Sequence, residues 1–453
     1  MIYPANFEEK IGFDRIREQV TALCSTPSAK AKLAEEGFST SADEIERRLS
    51  LMNEMRSLLM LERDFPDGDY PDPAPLVAKI RVEGSYLLAA EADQLRKALV
   101  TVGAIAEFIL GRGGARYPRL WELSRRVTLF PEIVRAIDAI LDDRGEVKDS
   151  ASPELQQVRR AIREREGQAA KRLQQVLQRA KQAGIVDADA VLSVRDGRPV
   201  IPVAAANKRK LQGFIHDESA TGRTFYVEPV EVVEINNELK ELEYAERREV
   251  VKVLSAFTES IRPDAEVIAD AGDYLSSVDM IRAKARWALA NDAGKPILST
   301  DDRLELRTAR HPLLQQTLRA QGREVVPLDL ALDRRKHILV ISGPNAGGKS
   351  VCLKTTGLMQ YLFQCGYPVP ASEVSELPVF RSIFIDIGDE QSIDDDLSTY
   401  SSHLRNMKNM LAGASDRTLV LIDEFGSGTE PTIGGAIARR FSNGCSNAAV
   451  TGS

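Results

Sequence analysis

Histidine, cysteine and tryptophan are scarce in this chain of 453 residues, which has four, four and two of them. His216, His311, His337 and His403 are scattered, and Cys24, Cys352, Cys365 and Cys445 form no C-x-x-C pair. Neither a zinc site nor a disulfide framework is indicated, and free thiols fit a reducing compartment. No positively charged, apolar leader opens the sequence. The most apolar long stretch, LVTVGAIAEFIL from Leu99, is interrupted by Glu107 and is too short to span a bilayer. An excess of cations is missing too: 60 Lys and Arg against 67 Asp and Glu give a formal charge of −7. Global electrostatics therefore gives no support to polyanion binding, and any basic surface has to be local. These absences lead to the expectation of a soluble cytoplasmic protein with no membrane partner, in roughly two or three domains.

What is present begins with GPNAGGKS, Gly343 to Ser350. It fits G-x-x-x-x-G-K-[ST], the loop that wraps nucleotide phosphates. Gly343, Gly347 and Gly348 let bare backbone approach an anion, with Pro344, Asn345 and Ala346 completing the loop. Lys349 supplies a point charge for the terminal phosphates, and the Ser350 hydroxyl can ligate Mg²⁺. HILVIS, 337–342, reads as a buried strand before the loop, and VCLKTTGLMQYLFQC, 351–365, as the helix after it. Some seventy residues on, LVLIDEFGSG is an apolar strand ending in two carboxylates. There Asp423 would hold Mg²⁺ and Glu424 would orient or deprotonate the attacking water. ATP with Mg²⁺ is the expected cofactor set, Lys349 and Glu424 the catalytic pair, and an ATPase the expected activity.

The texture of the chain changes along its length. Residues 1–150 are mostly amphipathic helix, read as a helical core domain. From Ser152, Leu155, Val158, Ile162, Ala169, Leu173 and Val176 recur near heptad spacing. Ile235, Leu239, Leu242, Val250, Val253, Leu254 and Phe257 form a second such stripe. This predicts an antiparallel coiled-coil arm over 151–290 carrying a small β tip at about 186–228, with Asp196-Gly197 as a hairpin turn. Between residues 151 and 215, thirteen Lys or Arg face six Asp or Glu, a local +7. Lys208, Arg209 and Lys210 cluster, with Arg195, Arg198 and Arg223 nearby in sequence. Their functional reading is contact with a phosphate backbone; their bland reading is a solvated helical face. Residues 291–453 read as a P-loop ATPase domain of the ABC type on a mainly parallel sheet.

Together these motifs resemble the MutS ATPase family, and within it the bacterial paralogue that normally ends in an Smr domain. The residues that carry the resemblance are RHPLL at 310–314, ISGPNAGGKS, IGDEQSIDDDLSTYSSHL at 387–404 and LVLIDEFGSGTEPTIGGAIA from Leu419. SVRDGRPVIPV and GFIHDESATGRTFYVEP look like that paralogue's clamp tip. The resemblance implies that Asn345, Lys349 and Ser350 contact triphosphate and Mg²⁺, and that Asp423 and Glu424 are the metal and general-base carboxylates. It also implies that Ser398 reaches the γ-phosphate on the opposite subunit of a homodimer; for His311 it suggests a place near the nucleotide, and a structural histidine before Pro312 is the equal alternative. Ser398 read by itself is equally a helix cap. The implied function is a dimeric, ATP-hydrolysing clamp on double-stranded or branched DNA, or on collided ribosomes and their rRNA. Full-length members also carry the name endonuclease, and no nuclease constellation is apparent here. The tail RRFSNGCSNAAVTGS departs from the family pattern, which continues with a helix, a switch strand and dimer helices. An ATPase-dead or non-catalytic binding module is therefore the alternative expectation.

Overall fold

A computed structural model describes residues 1–195, 197–343, 347–387 and 396–423, with 435–436, 439–440 and 451–452; of 396–403 and 451–452 it describes the backbone alone. The architecture is mixed helix and sheet. It divides into two compact units, each discontinuous in sequence. One comprises Met1–Asp72, Val100–Leu129 and Ala269–Ser453; the other comprises Pro73–Leu99 and Phe130–Ile268.

The first unit contains a parallel sheet in the order Ile2–Tyr3, Ser382–Asp386, Thr418–Ile422, Thr451–Gly452. Its two central strands, SIFID and TLVLI, are almost wholly buried, as expected of strands covered on both faces. The helix Lys349–Cys365 packs on them. Its glycine at position 357 is explained by that contact, because a Cβ there would lie 2.9 Å from Leu421 Cδ1. Polar bonds fix the helix direction. The Gln360 amide donates to the Pro378 carbonyl at 2.8 Å, and the Gln364 amide donates to the Phe380 carbonyl at 2.8 Å. The C-terminal end of the helix therefore lies where Ser382–Asp386 begins, and the Lys349 end lies towards the carboxyl ends of the strands.

A second sheet in this unit has the order Ile297–Leu298, Glu376–Leu377, Leu304–Ala309, Leu328–Leu332, the first pair parallel and the other two antiparallel. Phe13 packs edge-on against Tyr361 at 4.9 Å and Tyr367 at 5.1 Å, joining the N-terminal helices to the same core. One expectation fails here. HILVIS is not a strand: only Ile338 is a bridge residue, and Val340 is 83% exposed. A strand exists through ladder bonds to a neighbour, and 337–342 form no ladder among the described residues.

In the second unit, helices Pro153–Gln182 and Val230–Ile261 run antiparallel. Arg159 meets Glu246 at 2.7 Å, and Arg165, two turns on, meets Glu238 at 2.8 Å, two turns back. Mid-pair residues such as Val158, Ile162, Leu239 and Val250 are only half-buried, because two helices alone have a single seam to share. Between them sits an antiparallel sheet in the order Ser193–Arg195, Arg198–Ala204, Thr224–Pro229, Gly213–Glu218. Arg195 pairs with Arg198 across the first hairpin, and Gly197 has a φ of 74°, while Asp196 lies outside the described residues. Ile201, Val203 and Val227 of this sheet pack on Leu173, Val176 and Leu177 of the first helix.

Gly357→Val overfills the contact between the Lys349–Cys365 helix and the parallel sheet. The expected cost is about 1–3 kcal/mol, read as a lower urea midpoint for the whole chain. An unchanged midpoint is incompatible with the close packing.

Candidate functional site

The glycine loop enters its helix through Gly348, whose φ of 82° is a left-handed conformation suited to glycine. Gly343, Gly347 and Gly348 are exposed, so their backbone is open to an incoming group. Lys349 and Ser350 occupy the first helical turn, where N–H groups and the helix dipole favour an anion. The Lys349 ammonium donates to the Gly343 carbonyl at 2.6 Å, so it folds back across the loop mouth. Pro344, Asn345 and Ala346 lie outside the described residues.

At the carboxyl ends of the parallel strands stand two buried carboxylates. Asp423, 7% exposed, follows Thr418–Ile422, and Asp386, 5% exposed, ends the neighbouring strand. The Asp423 backbone N–H donates to the Asp386 carbonyl at 2.9 Å. The Asp386 side chain accepts from Asn406 Nδ2 at 2.9 Å. Sequence reading missed Asp386; its only signal is an acidic residue closing an apolar run, SIFID. Glu424 lies outside the described residues. So does the side chain of Ser398, whose backbone belongs to the helix Asp396–Gly413. The donors brought to this end of the sheet, an ammonium, a hydroxyl and hard carboxylate oxygens, fit a Mg²⁺-bound polyphosphate. Lys349 and the loop backbone would hold phosphate, and Ser350 and Asp423 the metal.

In the tip, the basic residues divide into two sets. Lys208, Arg209, Lys210 and Arg223 are exposed. The Lys208 ammonium lies 4.5 Å from the centre of the Phe225 ring. Arg195 stacks on Tyr226 at 3.8 Å and pairs with Asp217 at 2.8 Å. Arg198 is committed inward to Glu228, at 2.9 Å and 3.0 Å. Glu228 is 1% exposed and also bonds His216 Nε2 at 2.5 Å and the Asn236 amide at 2.6 Å. Burial alone would raise the Glu228 pKa. The bonds from Asn236, His216 and Arg198 outweigh it and hold the group below its ordinary value. Arg198 is thus a structural anchor, joining the hairpin to the start of the Val230–Ile261 helix.

Residues 339–449, which contain the loop and both strand-end carboxylates, match the family model for MutS domain V. The endonuclease MutS2 of Bacillus velezensis is 36% identical over 428 residues, which cover 94% of this chain and 54% of that protein. The endonuclease MutS2 of Pelotomaculum thermopropionicum is 35% identical over 431 residues, 95% of this chain and 54% of that protein. That of Thermomicrobium roseum is 37% identical over 440 residues, again 94% and 54%. These matches support the MutS family. The chain spans about half the length of the curated relatives it matches. No helix among the described residues is long and apolar enough to cross a membrane.

His311, for which the family resemblance suggests a place near nucleotide, caps the helix Pro312–Ala320 beside Gly12. Its Nδ1 is buried without a hydrogen-bond partner. Burial pushes the imidazole from 6.5 down to about 4, with the Lys354 and Arg15 charges adding to the effect and a bond to the Ile11 backbone opposing it. The ring therefore stays neutral in the folded chain while the unfolded chain takes up a proton. Stability is complete above pH 6.5 and falls as pH drops towards about 4. Urea unfolding of the native chain and of His311→Gln across this window is expected to converge as pH falls, because the variant lacks the titration. Parallel pH profiles would show that the imidazole is not buried as described.

Proposed function

We propose that this chain is the nucleotide-binding portion of a MutS-type clamp that binds and hydrolyses ATP with Mg²⁺. The observation that carries the reading is the opposition of two things at one end of the parallel sheet. These are the glycine loop with Lys349 and Ser350 at a helix start, and Asp423 buried at a strand end. A helix N-terminus with bare glycine backbone attracts phosphate, and the carboxylate draws the accompanying cation to the same place. Glu424, next in sequence, is assigned the role of general base for water.

In this proposal two copies of the chain associate through their nucleotide-binding regions, with Ser398 of one reaching the γ-phosphate bound by the other. The paired helices and their β tip grip nucleic acid, either branched DNA or ribosomal RNA. Lys208, Arg209, Lys210 and Arg223 supply sequence-independent phosphate contacts, with Arg195 adding a cation already oriented on Tyr226. Over 186–228 six Lys and Arg are balanced by six Asp and Glu, so what favours binding there is the clustering and exposure of 208–210 and not a net charge of the tip.

Lys349→Ala removes a charge-assisted contact and is expected to weaken ATP binding by about 10–100-fold, measured by titration calorimetry. Unchanged affinity refutes the site assignment. At the tip, replacing Lys208, Arg209 and Lys210 together by Ala should weaken binding to a branched DNA. It should also flatten the dependence of log affinity on log salt by up to about 2–3. Equal slopes for the variant and native chains would move the nucleic-acid surface elsewhere.

A further inference from the structure

We propose that Asp386 and Asn406 are positioning residues that tie the helix bearing Ser398 to the strand end bearing Asp423. The proposal rests on the nucleotide-site reading above and adds to it a link between the two halves of a shared site.

Asp386 is attached through both its backbone and its side chain. Its backbone carbonyl accepts the Asp423 N–H at 2.9 Å, so the two strand ends move together. Its carboxylate accepts the Asn406 amide at 2.9 Å, so the same residue also holds the helix Asp396–Gly413. The orientation of Asn406 is settled by its other partner. Tyr3 OH donates to Asn406 Oδ1 at 2.6 Å while accepting from Asn409 Nδ2 at 3.3 Å. With its acceptor end engaged by the phenol, the amide has only N–H groups to turn towards Asp386. Tyr3 is itself fixed, paired in register with Phe384 and lying edge-on to its ring at 6.3 Å.

The helix also makes apolar contact with the sheet. Met407 and Met410 pack with Phe384 and Val420. Thioether side chains adapt to small shifts, so this packing allows the helix to slide. The relay from Tyr3 through Asn406 to Asp386 does not: its bonds are directional, and one ends on a buried carboxylate. Displacement of the helix at its Ser398 end is therefore passed to Asp386, and through the shared backbone bond to Asp423. Loss of a hydrogen bond to a buried carboxylate is costly, which gives the link its stiffness.

The test compares the native chain with Asn406→Asp, Asp386→Asn and the double variant. Calorimetry measures ATP affinity with and without Mg²⁺. Asn406→Asp sets two carboxylates against each other. It is expected to reduce the Mg²⁺-dependent gain in ATP affinity by about tenfold, the scale of one charge-assisted hydrogen bond, while metal-free ATP affinity stays put. The double variant exchanges the two groups: the strand end now carries the amide that donates, and the helix carries a carboxylate that accepts from it and from Tyr3. The gain then returns to within about threefold of native. A role in general folding would lower the metal-free and the Mg²⁺-loaded affinities together, and that common loss is what separates it from the relay. Retention of the gain in Asn406→Asp, or a double variant no better than it, overturns the proposal. If Asn406→Asp does not fold, Tyr3→Phe is the milder probe; it removes only the orienting hydroxyl, and an unchanged Mg²⁺-dependent gain counts against the relay. Lys349→Ala separates the two levels. If it weakens ATP binding as expected while the pair variants behave as native, only the relay falls; if it leaves binding intact, the nucleotide site falls and the relay with it.

Discussion

The contact of one helix with two parallel strands governs the rest of the nucleotide-binding region. Gly357 lets the Lys349–Cys365 helix settle against Leu421, and Gln360 and Gln364 hold its far end to the backbone before the strands. Orientation follows from this contact. The helix can present its first turn only at the carboxyl ends of the strands, where Asp386 and Asp423 emerge. Parallel strands send all their carboxyl ends the same way, so a crevice at that end is a general property of such sheets. The chemistry comes from the residues at the ends, while the packing brings them to one side.

The tip shows a different economy of charge. A local excess of cations suggests a broad basic surface, yet Arg198 is turned inward and Arg195 is partly neutralised by Asp217. Glu228 collects three partners from a hairpin, a second strand and the following helix, so its bonds maintain the geometry of the tip. Removing one partner would leave a buried charge under-satisfied, which costs more than the bond itself contributes. The exposed set at 208–210 and 223 is then free to vary without disturbing the fold beneath it.

Much of this was legible in the sequence, for physical reasons that differ by element. Long stripes at helical spacing mark the helices at 153–182 and 230–261, because an extended pair must bury a regular seam. GPNAGGKS marks a loop because few residues besides glycine tolerate the conformation at Gly348. HILVIS misleads because apolar composition records a preference for burial and not the presence of a neighbour to pair with. Asp386 was invisible for a related reason: its importance comes from standing beside Asp423, thirty-seven residues away in sequence, and alternation within one strand carries no such information. Arg198 could not be told from Arg195 by spacing, since a buried glutamate decides between them.

The discontinuity of the first unit gives the chain a schedule. Ile2–Tyr3 finds its partner strand only at Ile383–Phe384, so about 380 residues emerge from a ribosome before that edge of the sheet can close. At about 5–20 residues per second this is a wait on the order of 20–80 seconds. The second unit has all its residues by Ile268 and can close far earlier. During that interval Phe7, Ile11 and Phe13, each destined for the core around Tyr361, remain without the surface they will cover. Part of the apolar face of the early helices is thus the last surface of this unit to be covered.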